Sequence, residues 1–129
     1  MSTILLDTNV LLWALIDPAR LRPDIRTELE DTTNHILFSA ASVWEMSIKA
    51  ALGRADFQVS PDRIVAEALA AGFVELPVRS AAALRVADLP NHHRDPFDRL
   101  LVAQAMTEPA ILFTGDAQLA AYSDLVRCV

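Results

Sequence analysis

The chain has 129 residues, enough for one hydrophobic core and too few for two ordinary domains, so residues 1–129 read as a single unit. Apolar residues make up 53% of it, a surplus that a partner or a second copy would cover. A formal net charge of −6 excludes a binder that relies on a broad basic patch for nucleic acid or anionic membrane, but not an enzyme that draws a local positive field from metal or arginine.

Lys49 is the sole lysine beside ten arginines, which suits bidentate contacts better than diffuse attraction. Cys128 is the sole cysteine, so no internal disulfide or multi-cysteine metal site forms, and a reducing compartment fits. The apolar stretch from Ile4 to Ile16 is broken by Asp7 and Asn9, lacks a basic leader and is too short to span a bilayer. A soluble cytoplasmic protein without membrane contact is expected.

Strand-like and helix-like segments alternate along the chain, the pattern of an α/β fold with a mostly parallel sheet. Thr3–Leu6 reads as a strand, and Val10–Ile16 as a short helix closed by Asp17-Pro18. Pro23–Glu30 is a more polar helix. His35–Phe38 is a second strand, followed by a helix from Ser39 to Leu52 that Gly53 ends. Ser60-Pro61 starts a helix, with serine as N-cap, that ends before Gly72. Phe73–Val78 is a third strand and Ser80 to about Ala87 a helix. Leu89–Arg94, with a proline and two histidines, is a loop. Asp95-Pro96 caps a helix to about Met106, Ala110–Phe113 is a fourth strand, Asp116 caps a short helix to Ala121, and Leu125–Val129 adds an edge strand.

Four carboxylates stand where apolar runs give way to turns or helix starts: Asp7, Glu45, Asp98 and Asp116. If the strands are parallel, their C-terminal ends share one edge and these charges converge in one crevice. Each also has a local structural explanation. Asp7 and Asp116 suit N-caps, and Ser42 with Glu45 spells a capping box unless Ser39 is the cap, which would place Glu45 on the second turn. Asp98 is hardest to explain locally, because it opens the apolar helix Leu100-Leu101-Val102-Ala103. The helix dipole offers it ~0.3–1 kcal/mol, well short of the cost of holding an ion away from water. Positive charge from Arg99, Arg94 or a cation is needed. Asp95 is more simply an N-cap, Asn9 shares the ambiguity of Asp7, and Thr114 either orients a water or carboxylate through its hydroxyl or only finishes a turn.

His35, His92 and His93 lack the spacing of a zinc site, and solvated or structural roles are the default. Trp13 and Trp44 fit core or interface better than base stacking. There is no nucleophile elbow, and three glycines leave no phosphate-binding loop. A set of Asp and Glu oxygens without soft ligands suits Mg²⁺ or Mn²⁺, and the reaction class that follows is metal-assisted phosphodiester hydrolysis.

At these residues the chain resembles PIN-domain proteins, specifically the VapC family of type II toxin-antitoxin ribonucleases, over nearly its full length. The matching stretches are LLDTNVLLWAL, SAASVWEMSIKAALG, HHRDPFDRLLVAQA and ILFTGD, the third being the most specific. The resemblance implies a three-layer α/β/α sandwich and an Mg²⁺ or Mn²⁺ site of Asp7, Glu45, Asp98 and Asp116. Asp7 and Asp98 would be the direct ligands, with Glu45 and Asp116 on a second ion or on the attacking water. Asn9, Thr114, Asp95 and Arg99 would support them. It also implies an RNA substrate (tRNA or rRNA), inhibition by a small antitoxin, and a homodimer. The fourth motif often carries a basic residue where this chain has Gly115, which puts a phosphate contact there in question.

Two other classes compete. A phosphoryl-accepting receiver or phosphatase is disfavoured because the phosphatase pattern wants an aspartate at Asn9 and because Lys49 lies in a helix. The other is a non-catalytic module whose acidic edge binds an arginine-bearing partner.

Overall fold

The computed structural model describes residues 1–53 and 58–129. Five strands form one sheet: β1 (Thr3–Leu6), β2 (His35–Ser39), β3 (Val74–Leu76), β4 (Ile111–Thr114) and β5 (Val126–Cys128), in the order β3-β2-β1-β4-β5. All four pairings are parallel, with Leu5 of β1 opposite Leu37 on one side and Leu112 on the other. The expected mostly parallel sheet is therefore parallel throughout.

The helices are α1 (Thr8–Ile16), α2 (Pro23–Glu30), α3 (Ala40–Ala51), α4 (Pro61–Ala70), α5 (Ser80–Val86) and α6 (Pro96–Thr107), with single 3₁₀ segments at Pro18–Arg20 and Ala117–Ala121. Alternate side chains of each strand face opposite ways. Ile4, Leu6, Ile36, Phe38 and Phe113 pack with Val10, Leu11, Ile25, Met46 and Ile64 of α1 to α4. On the other face Leu5, Leu37, Leu112 and Val126 pack with Leu101, Val102 and Ala105 of α6, with Val86 of α5 alongside. The result is the expected three-layer α/β/α sandwich. Its strands are apolar on both sides because both faces are covered.

Several boundaries move for identifiable reasons. Helix α1 starts at Thr8 rather than Val10, because the Asp7 side chain accepts the Val10 N–H and so makes Asp7 the cap. Strand β3 pairs over three residues rather than six, since Phe73 turns into the core and Pro77 has no N–H to continue the ladder. Ser60 stands at the N-cap of α4 but makes no capping bond, its hydroxyl going to the Asp62 carboxylate. The short helix after Asp116 is 3₁₀. Gly53 and Gly72 close α3 and α4 with φ of 63° and 88°, the left-handed conformation that glycine adopts at little cost.

The winding reverses between β1 and β4, so the crevice of an open parallel sheet lies beyond their C-terminal ends. Asp7 follows β1 and Asp116 follows β4 by two residues. No described helix is long and apolar enough to cross a membrane.

Candidate functional site

Asp7 is buried at the end of β1, with its backbone N–H bonded to the Phe113 carbonyl of β4. Its Oδ1 accepts from Val10 N at 2.8 Å, while Oδ2 accepts from the Thr114 hydroxyl at 2.6 Å and Gly115 N at 3.3 Å. Capping and site membership are thus one arrangement. A carboxylate has about four lone-pair positions, so Asp7 has about one left and suits a single-point ligand. Burial pushes its carboxyl above the usual range, against the lowering effect of these bonds, with the Glu45 charge adding to the rise.

Glu45 occupies the second turn of α3, because the Ser39 hydroxyl caps the helix through Ala41 N at 3.0 Å. The capping-box alternative with Ser42 is removed. Glu45 Oε1 accepts from the Thr8 hydroxyl at 2.7 Å, and Oε2 meets Lys49 Nζ at 2.9 Å. Thr8 Oγ also lies 2.9 Å from Ser42 Oγ. Because a carboxylate only accepts, the Thr8 proton goes to Glu45 and the Ser42 hydroxyl donates to Thr8. The lysine on which a phosphoryl-accepting reading depends is engaged with Glu45.

Asp98 lies in the first turn of α6 behind its N-cap Asp95, whose Oδ1 accepts from Phe97 N at 2.8 Å and Asp98 N at 3.3 Å. Among the described residues no hydrogen bond reaches the Asp98 carboxylate; His93 Nε2 stands 3.7 Å away. Burial, then the charges of Asp95 and Asp7, push its carboxyl up to about 7, with Glu45 adding to the rise and His93 opposing it. Asp7, Glu45 and Asp98 thus stand within reach of one another's charge.

Asp116 caps the 117–121 segment through Oδ1 and Gln118 N at 3.0 Å, and its Oδ2 lies 2.7 Å from His93 Nε2. Its own N–H donates to Thr114 Oγ at 3.0 Å, so Thr114 links Asp116 to Asp7. Ligand atoms of His93, Asp98 and Asp116 all lie within 4.8 Å of one another.

Asn9 is exposed on the first turn of α1, two residues after Asp7. Arg99 does not neutralise Asp98: its guanidinium donates to the carbonyls of Pro90, Val86 and Leu89 and to the Tyr122 hydroxyl at 2.9–3.3 Å. Successive helical residues point about 100° apart, so the neighbour of Asp98 faces another way. Conversely, sequence reasoning missed Thr8 and Lys49 and set His93 aside. The i,i+4 spacing of Glu45 and Lys49 was a signal for that ion pair; nothing local announced the other two. Trp44 is 63% exposed and meets Phe97 edge-on at 5.3 Å, so it lies on the surface rather than in the core.

The donor set fits a hard divalent cation on chemical grounds. The carboxylates bring oxygen ligands only, and Asp98 sits among like charges without a hydrogen-bond donor among the described residues.

The chain matches the PIN domain family over residues 4–125 and belongs to it. Among solved structures it is similar to VapBC2 from Rickettsia felis, bound to a DNA fragment from their promoter, with a TM-score of 0.71, 13% identity and coverage of 98% of each chain. It is similar to DNA-bound VapBC from Salmonella typhimurium, with a TM-score of 0.70, 17% identity and coverage of 100% of this chain and 98% of that one. VapBC-5 from Mycobacterium tuberculosis, a member of the VapBC family of toxin-antitoxin systems, aligns with a TM-score of 0.56 at 21% identity over 100% and 98% of the two chains. No curated protein matches the chain.

Proposed function

We propose that this chain, as a single PIN domain, is the toxin of a type II toxin-antitoxin pair and acts as an Mg²⁺- or Mn²⁺-dependent endoribonuclease. The observation that carries the reading is Asp98: a largely buried carboxylate without a hydrogen-bond donor among the described residues, in the field of Asp7, Glu45 and Asp95. Asp7 after β1 and Asp116 after β4, at the switch point of the parallel sheet, add to this.

Asp98, whose carboxylate accepts no hydrogen bond among the described residues, and Asp7, with about one lone pair left, would hold the first cation. Glu45 and Asp116 would bind a second or orient the attacking water. When bound, a hard divalent cation supplies Lewis acidity toward water and toward a phosphodiester oxygen. The protein's own part is positioning. Thr114 and Gly115 fix Asp7, Thr8 and Lys49 fix Glu45, and the first turn of α6 presents Asp98. In-line attack on RNA needs these oxygens held in place before substrate arrives.

The partner assignment draws on VapBC complexes among the similar folds. The exposed stripe Trp44, Ile48 and Leu52 along α3 is an apolar face that an antitoxin or a second copy would cover. A cytoplasmic location follows from an RNA substrate such as tRNA or rRNA.

The test is cleavage of structured RNA by purified protein in Mg²⁺ and in EDTA. Wild type is expected to cleave only with the cation, and Asp7→Asn not at all. Cleavage in EDTA, or by folded Asp7→Asn at the wild-type rate, contradicts the proposal.

A further inference from the structure

His93 meets Asp116 and Asp98 as though it were a third ligand, and its ring is held so that it cannot be one. The Asp95 backbone N–H donates to His93 Nδ1 at 3.1 Å. A backbone amide only donates, so Nδ1 presents its lone pair and bears no proton. The proton of the imidazole is then on Nε2, 2.7 Å from Asp116 Oδ2, where it is donated to the carboxylate. A protonated ring nitrogen has no lone pair for a cation. Turning the ring over would aim a C–H at the Asp95 N–H, and so loses the bond that defines the orientation.

The surroundings keep this arrangement. The His93 side chain is 14% exposed. The backbone N–H groups of His92 and His93 both reach the Tyr122 hydroxyl, at 3.1 and 2.9 Å. Arg99 reaches the same oxygen at 2.9 Å and ties it to the carbonyls of Val86, Leu89 and Pro90. Asp116 is held on its other oxygen by Gln118 N, so its carboxylate is fixed at both ends.

We infer that His93 is a positioning residue: a fixed Nε2–H donor that orients Asp116 and stays outside the ligand set of the cation. The consequence for cation binding rests on the metal-dependent reading above; the assignment of the donor does not.

The experiment uses ¹⁵N-histidine-labelled full-length protein, with His93 assigned by its loss in His93→Gln, and long-range ¹H–¹⁵N correlation spectra before and after Mg²⁺ saturation. The expected pattern is a proton on Nε2 in both states. A proton on Nδ1 without metal, or loss of the Nε2 proton on Mg²⁺ binding, overturns the inference. If wild type binds no Mg²⁺ while Nε2 keeps its proton, the donor role stands and the metal-dependent reading fails.

Calorimetric Mn²⁺ titration of three variants provides the second arm. His93→Asn keeps an acceptor for Asp95 N–H but cannot reach Asp116, and is expected to weaken Mn²⁺ binding about tenfold, as loss of a partner behind a ligand does. His93→Gln places an N–H near the Nε2 position and is expected to recover most of that loss, while His93→Ala recovers none. His93→Asn binding like wild type, or His93→Gln binding no better than His93→Ala, overturns the inference.

Discussion

The indole of Trp13 fills the space in which a side chain at Gly115 would begin. A Cβ at position 115 would stand 2.7 Å from Trp13 Cη2, closer than real Cβ atoms approach, and in tight contact with Cζ3 at 3.1 Å. Gly115 is therefore set by packing, not by backbone conformation, and a basic residue at this point of the fourth motif is excluded while Trp13 keeps its place. The Gly115 N–H also supports Asp7 Oδ2, which couples this packing to the acidic site.

Gly115→Arg is expected to destabilise the protein by about 1–3 kcal/mol, the usual cost of overpacking. Removing the indole relieves the clash, so Trp13→Ala combined with Gly115→Arg should cost clearly less than the sum of the single changes, with a coupling of about 1 kcal/mol or more. Urea denaturation of the four proteins of the cycle measures it. Strict additivity would place the arginine away from Trp13.

Asp98 gives a pH dependence of definite sign in the metal-free protein. Its folded carboxyl is pushed up to about 7 from the ordinary 3.8, so the native state holds the extra proton between these values. Its contribution to stability is fully present below about 4 and is lost as pH rises through about 7. Asp98→Asn should therefore raise the melting temperature in EDTA at pH 8. Near pH 4 the gain should shrink toward zero. Thermal melts at the two pH values check it; destabilisation by Asp98→Asn at pH 8 would mean that the ionised carboxylate has a compensating partner.

Thr114→Val keeps the shape of a fully buried side chain and removes the donor to Asp7 Oδ2 and the acceptor for Asp116 N. A loss of about 1–3 kcal/mol is expected for the stranded buried groups. Cleavage should fall by more than the unfolded fraction accounts for, because Asp7 and Asp116 both lose their link. Chemical denaturation and RNA cleavage on the same preparations separate the two effects.

Arg99→Lys retains the charge but cannot serve the carbonyls of Pro90, Val86 and Leu89 and the Tyr122 hydroxyl together. The amides of His92 and His93 should exchange faster with solvent, and stability should fall by about 1–2 kcal/mol, as expected when several hydrogen bonds are weakened. Native-state hydrogen exchange reads the loop directly. Unchanged exchange at both amides would show that Tyr122 holds the loop without Arg99.

The parts legible in the sequence are those written in local pattern. Apolar runs such as Ile4-Leu5-Leu6 and Ile111-Leu112-Phe113 mark strands buried on both faces, and Asp7 and Asp116 follow such runs, so their place at one edge came from topology alone. The site's remaining contacts depend on long-range geometry. His93 is aimed by Tyr122, 29 residues away, and by a backbone amide whose direction is fixed only once Asp95 caps α6. Thr8 meets Glu45 because α1 and α3 lie on the same face of the sheet. Arg99 shows the reverse failure: adjacency in sequence to Asp98 suggested a partner, and helix geometry sends the side chain elsewhere.

In the proposed function these carboxylates form a cation site for RNA hydrolysis. Its most direct test is Mn²⁺ titration by calorimetry of wild type beside Asp98→Asn at pH 8, with RNA cleavage followed in the same samples. Wild type is predicted to bind Mn²⁺ and cleave, and a folded Asp98→Asn to lose both. Absence of Mn²⁺ binding by wild type at millimolar concentration, or equal binding and cleavage by the variant, would contradict the account.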